Sequence, residues 1–189
     1  LNKLYKGKRL SEIAAVHGKD ANETMLDIIA ADKSGVPSIF FLISEDNVKK
    51  MLAIPYVSIC SDGASIPAEE PYIKSSTHPR VYGSFARLLS KYVREENIMT
   101  LPEAVRRMSS LPASNLKLTK RGLLKVGSYA DVVVFDPDNI RDKATFDKPH
   151  QYAEGVNHVF VNGVQVLDNG THTGAKPGRC IRGPGWNKK

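Results

Sequence analysis

The chain has 189 residues, 41% of them hydrophobic and 25% charged, which is material for one sizeable core and unlike a disordered chain. No apolar run approaches the roughly 20 residues of a membrane helix, and no signal-peptide pattern opens the chain, so a soluble, cytoplasmic protein is expected. The net charge of +7 does not argue for nucleic acid, because the basic residues scatter over helix and loop segments apart from short groups such as Lys6 to Arg9 and Lys188-Lys189.

In chain order, Ser11 is placed to cap a short helix through Glu12 to Val16 that ends near Gly18. Asp20 is placed to cap a second, from about Ala21 to Asp32, with Met25, Leu26, Ile28 and Ile29 on its inner face. Gly35 and Pro37 stop that helix. Ser38 to Ile43 is a continuous apolar run of strand length, the pattern of a strand covered on both faces. Ser44 can cap a helix from Glu45 to Ala53, with Asp46 suited to the positive end of its dipole. Tyr56 to Ser61 reads as a second buried strand, and helix, strand, helix, strand is the βαβ grammar of a parallel sheet or barrel. Phe85, Leu88, Leu89, Tyr92 and Val93 recur at helical spacing between Gly83 and Glu96, Thr100 to Glu103 is a capping box, and a third short helix begins at Pro112.

After Arg121-Gly122 the pattern turns to β. Ala130 to Phe135 is a strand stopped by Asp136-Pro137, and Asn162-Gly163 between two β-branched runs, Val156 to Val161 and Val164 to Leu167, is a strong hairpin signal. Asp168-Asn169-Gly170 makes the next turn. The organisation expected is residues 1–119 as βα units with following helices, 120–175 as a β subdomain and 176–189 as a basic tail rich in Gly and Pro. Cys60 and Cys180 lie too far apart in sequence to suggest a disulfide framework, and both are expected to be free thiols.

Asp62 stands where the second apolar run meets a loop, and strand ends are where barrel enzymes place chemistry. Two roles fit it: a turn aspartate accepting backbone N–H groups, or a general base that takes a proton from metal-bound water and passes it to a leaving nitrogen. Ser61 and Gly63 suit either. Arg80, in His78-Pro79-Arg80, is either a surface arginine with a packed stem or a planar fork for the anionic end of a substrate. His78 is a loop histidine or a substrate contact. The five histidines form no H-x-H or H-E-x-x-H, Cys60 has no partner at metal-site spacing, and the G-x-G-x-x-G, P-loop and G-x-S-x-G patterns are absent.

Ile59-Cys60-Ser61-Asp62-Gly63, His78 to Arg87 and Tyr92 to Glu95 together resemble the carboxyl-terminal half of the N-acyl-D-amino-acid deacylases, or D-aminoacylases, of the amidohydrolase superfamily. The resemblance continues in order through Glu103 to Met108, Arg121-Gly122, Gly127 to Pro137, Pro149-His150-Gln151-Tyr152, Val161-Asn162-Gly163 and Thr173 to Ala175. It implies an α/β enzyme, a (β/α)8 metal-dependent barrel with a small β-sandwich subdomain, hydrolysing the amide of N-acyl-D-amino acids with a zinc-activated water. It implies Asp62 as general base at the metal and Arg80 as the arginine binding the substrate α-carboxylate, with Ser61, Gly63 and His78 as substrate-side neighbours. A whole barrel needs about 250 residues, and the chain opens at Leu1 in material that reads as mid-domain, so a fragment is expected. Such a fragment lacks most of the family's metal ligands and is expected to bind no zinc by itself, to be inactive alone, and to self-associate through an exposed edge near Phe40. The rival is a non-catalytic binding or assembly module that keeps the scaffold.

Overall fold

The computed structural model describes residues 2–32, 35–36 and 38–186. Leu1, Pro37, Lys188 and Lys189, named in the sequence reading, lie outside the described residues. The chain divides into two compact units, Leu1–Leu42 and Ile43–Lys189. Among the described residues, no helix is long and apolar enough to cross a membrane.

The first unit holds helices α1 (Asn2–Tyr5), α2 (Leu10–His17) and α3 (Ala21–Ala31). The α2 cap is Arg9 rather than Ser11, because the Glu12 carboxylate turns back to accept the Arg9 N–H at 2.7 Å. Gly18, at φ 62°, ends the helix in the left-handed conformation that suits glycine. Asp20 caps α3 as expected, accepting the N–H groups of Asn22 and Glu23 at 2.9 and 3.3 Å. Its inner face differs from the expectation: Met25, Leu26 and Ile29 are exposed, while Thr24 is buried and donates its hydroxyl to the Asp20 carbonyl at 2.8 Å. Two short helices offer each other a narrow face, so the α3 stripe is wider than the surface this unit gives it.

Residues 38–43 form no strand, and Phe40 and Leu42 are 72% and 83% exposed. Residues 56–61 form none either. A strand exists only through its ladder partners, and here the Ile59 N–H donates at 3.2 Å to the carbonyl of Arg107, a helical residue. The βαβ reading of these two runs is therefore corrected to extended or irregular chain among the described residues, and Cys60, expected inside a strand, is exposed.

The second unit begins with α4 (Glu45–Leu52), capped by Ser44 through the Asn47 N–H at 3.3 Å. After a long loop come α5 (Arg80–Arg87) and a contiguous π-helical stretch, Leu88–Glu95, then α6 (Leu101–Met108) and α7 (Ser110–Asn115). The single helix expected from Gly83 to Glu96 is thus longer and changes winding at Leu88. At α6, Thr100 accepts the Glu103 N–H at 3.4 Å, but the Glu103 carboxylate pairs with Arg106 at 2.7 Å instead of closing the box. The core of this unit joins Leu52, Ala86, Leu88, Leu89, Tyr92, Ala104 and Ile140.

Arg107 is 1% exposed. Its guanidinium donates to the carbonyls of Val57 at 2.7 Å and Leu52 at 2.5 Å, while Arg106 donates to that of Pro55 at 2.6 Å. Two neighbouring arginines of α6 therefore hold the chain between α4 and Asp62. The expected strands and turns after residue 130 are present, with the first strand beginning at Val132 rather than Ala130. Strands β1 (Val132–Phe135), β2 (Val156–Val161), β3 (Val164–Asp168) and β4 (Thr171–His172) form one antiparallel sheet in that order. Asn162 and Gly163 at φ 49° and 82°, and Asn169 and Gly170 at φ 46° and 77°, make the two tight turns.

Candidate active site

The loop from Gly63 to Pro79 leaves Asp62 and returns to the start of α5, where Arg80 stands. The ends of this loop meet. An Arg80 guanidinium nitrogen lies 3.0 Å from an Asp62 carboxylate oxygen, with the Asp62 side chain 86% exposed and that of Arg80 45% exposed. An ion pair this open to water contributes only about 0–1 kcal/mol, so either partner can be exchanged for another charged group at little cost. Each is held in place by its backbone. Asp62 takes the left-handed conformation at φ 47°, tolerable for Asp in a turn, and donates its N–H to the Cys60 sulfur at 3.4 Å.

Gly63 serves close approach rather than the turn. A Cβ there would stand 3.0 Å from Val81 Cα, so a side chain would push the turn and the start of α5 apart. Ser61 accepts the Gly63 N–H on its hydroxyl at 3.3 Å, a local bond that shapes the same turn. His78 accepts the Arg80 N–H on Nδ1 at 3.0 Å and sets its ring edge-on to Phe146, centroids 5.1 Å apart. Burial, and then the Arg80 cation, push its pKa below the ordinary value. A neutral imidazole is what that accepting nitrogen requires.

The structure thus brings Ser61, Asp62, Gly63, His78 and Arg80 into one corner. Sequence reasoning did not single out Tyr82 and Tyr152, which hold the loop. Tyr82 donates its hydroxyl to the Pro67 carbonyl at 3.2 Å, and Tyr152 accepts the Ala68 N–H at 2.9 Å. Their rings meet edge to face with centroids 5.9 Å apart, and the ring of His150 lies 5.8 Å from that of Tyr82. The available signal was that both tyrosines fall inside the runs His78 to Arg87 and Pro149 to Tyr152 that carry the resemblance. Among the described residues, no group of three or more His, Cys, Asp or Glu side chains could hold a metal ion.

Residues 8–167 match the model of the amidohydrolase family. The chain is 39% identical over 176 residues to N-acyl-D-glutamate deacylase of Alcaligenes xylosoxydans xylosoxydans, covering 93% of this chain and 33% of that protein. Its fold superposes on a crystal structure of D-aminoacylase with TM-score 0.78 at 36% identity, over 92% of this chain and 35% of the other. It superposes with TM-score 0.75 at 38% identity on N-acyl-D-glutamate deacylase from Bordetella bronchiseptica, complexed with zinc and a phosphonate inhibitor that mimics the tetrahedral intermediate; the match covers 87% of this chain and 32% of that one. The chain spans about a third of the length of these relatives.

Proposed function

The chain belongs to the amidohydrolase family, and on that premise we propose that it is the carboxyl-terminal portion of a hydrolase that cleaves N-acyl-D-amino acids to a carboxylate and a free D-amino acid. Residues 1–119 are assigned to the closing units of a (β/α)8 barrel, in which 38–43 and 56–61 take strand form only where the rest of the barrel supplies ladder partners, and 120–175 to a β-sandwich subdomain. The observation that carries the reading is the meeting of Asp62 and Arg80 at 3.0 Å across the ends of one loop. It puts a proton acceptor beside a fork for carboxylate.

In this assignment Asp62 takes a proton from the attacking water as the new C–O bond forms, then delivers it to the amide nitrogen as the C–N bond breaks. Arg80 turns from Asp62 to the substrate α-carboxylate, which frees the Asp62 carboxylate for the proton. His78 holds the Arg80 backbone, and Ser61 and Gly63 shape the turn that presents Asp62. Zinc is named for the Bordetella bronchiseptica relative. The described residues of this chain do not by themselves fit a zinc centre, and Asp62 is the one carboxylate we assign to a metal contact.

The test is steady-state kinetics of the whole hydrolase proposed to contain this chain, loaded with zinc, on N-acetyl-D- and N-acetyl-L-amino acids. Asp62→Asn is expected to lower kcat by about 100- to 10,000-fold, the ordinary worth of a positioned base. Arg80→Met is expected to raise KM for the acid and leave that for the carboxamide unchanged. An Asp62→Asn variant as active as the parent, or equal turnover of D and L substrates, overturns the proposal. Self-association near the exposed Phe40 belongs to the same reading, and a monomer at every concentration in sedimentation counts against it.

A further inference from the structure

Two bonds that look separate act on one peptide plane. Tyr82 donates to the carbonyl of Pro67 and Tyr152 accepts from the N–H of Ala68. That carbonyl and that N–H belong to the same peptide unit and point in opposite directions from it. The Pro67–Ala68 peptide is therefore gripped from both sides by two hydroxyls, one used as donor and the other as acceptor, while the two rings brace each other edge to face at 5.9 Å. Burial and the neighbouring Tyr152 push the Tyr82 pKa up, which keeps its hydroxyl in the protonated, donating form.

The grip matters because of where Tyr82 sits. Arg80, Val81 and Tyr82 are consecutive in the first turn of α5, and each meets a residue of the chain that leaves the site. Arg80 pairs with Asp62 at 3.0 Å, the Val81 backbone is the surface on which Gly63 lies, and Tyr82 holds Pro67. The Asp62–Arg80 pair is too exposed to fix its own geometry. Something else must keep the two ends of the loop together.

We propose that Tyr82 and Tyr152 are positioning residues that clamp the Pro67–Ala68 peptide and thereby hold Asp62 and Arg80 at the separation needed to receive an anionic substrate. This rests on the reading of Arg80 as the carboxylate-binding residue. Neither tyrosine touches the reacting atoms; both act through the loop.

The experiment uses Tyr82→Phe and Tyr152→Phe, which delete one hydroxyl each and keep the rings, in the whole zinc-loaded hydrolase proposed to contain this chain. Each loses one hydrogen bond, so KM for an N-acetyl-D-amino acid is expected to rise about three- to ten-fold, with kcat within about two-fold of the parent. KM for the matching carboxamide stays at the parent value, a split that general loosening of the fold would not produce. In parallel, hydrogen exchange of the Ala68 amide is expected to accelerate in Tyr152→Phe at unchanged Tm. Unchanged KM in both variants, or equal rises for acid and carboxamide, overturns the clamp. If the parent does not distinguish acid from carboxamide, the Arg80 reading fails, and the clamp is then judged by exchange alone: faster Ala68 exchange supports it and parent-like exchange overturns it.

Discussion

Arg107→Ala is expected to destabilise the second unit by about 3 kcal/mol, and the figure follows from what the guanidinium does. Arg107 is 1% exposed and gives hydrogen bonds at 2.7 and 2.5 Å to the carbonyls of Val57, in irregular chain, and Leu52, the last residue of α4. Truncation leaves two inward carbonyls without donors, at about 1–3 kcal/mol each. The lost stem adds a cavity worth about 2 kcal/mol after partial collapse. Against this, the parent carries a cost of its own: Nη2 is buried without a partner, and burial pushes the pKa of the group down. Releasing a buried cation returns a few kcal/mol and brings the net to about 3. In a chain of this size that is a fall in Tm of roughly 10 °C. Urea unfolding followed by far-UV circular dichroism at pH 7 reads it. Arg107→Met is the discriminating companion, since it refills the volume but still orphans both carbonyls. If Arg107→Met is as stable as the parent, the buried charge is a net burden and the reasoning from carbonyl satisfaction is refuted.

Gly155→Ala is expected to cost more than about 2 kcal/mol, because strain at positive φ is joined by a backbone clash: Gly155 sits at φ 84° and a Cβ would lie 2.5 Å from Ile140 Cα. A thermal melt within a degree or two of the parent refutes it. Asp131→Ala is expected to cost about 1–3 kcal/mol, since it strips the carboxylate from Arg121 and the acceptor from the Asn162 N–H at 2.8 Å; equal urea midpoints refute it. For His78 the folded pKa lies below its ordinary 6.5, so its contribution to stability is complete above that value and is lost as pH falls through the folded pKa. The parent's stability should therefore bend downward on the acid side of pH 6.5, and His78→Asn should straighten that limb; a variant curve with the same bend refutes the assignment.

Legibility in the sequence divided along a physical line. Most elements fixed by neighbours in sequence were readable: the caps at Asp20 and Ser44, the helix end at Gly18, and both tight turns at Asn162-Gly163 and Asn169-Gly170 depend on side chains and φ values within a few residues, whereas the α2 cap fell at Arg9 rather than Ser11 and Glu103 turned to Arg106. Elements that need distant partners were not. The runs 38–43 and 56–61 have strand composition, but composition does not supply a ladder, and the Ile59 N–H goes to the carbonyl of Arg107 instead. The α3 stripe shows the same limit, since periodicity marks a face and not what covers it. The five residues picked for chemistry do meet in space because they flank one loop. Tyr82 and Tyr152 escaped notice because their work is done on a peptide group, which leaves no mark in the side-chain pattern.

The same distinction separates the chain's motifs by what their bonds accomplish. Arg121, Asp131 and Asn162 come from three different quoted motifs, yet they close on one another: Arg121 pairs with the Asp131 carboxylate, donates to the Asn162 side chain at 2.7 Å and stacks over Tyr129 at 4.2 Å, and Asp131 accepts the Asn162 N–H. Asp136 likewise spends its carboxylate on the Asp138 and Asn139 N–H groups and the Asn139 amide, which holds its pKa below the usual range. These acids are held by structural hydrogen bonds within their own fold. Asp62 differs: its side chain is 86% exposed, and it pairs with an arginine that is itself 45% exposed. A carboxylate left in water beside an exposed cation adds little stability, and both groups can change partners. That contrast supports the proposal that proton transfer belongs to Asp62 rather than to Asp131 or Asp136.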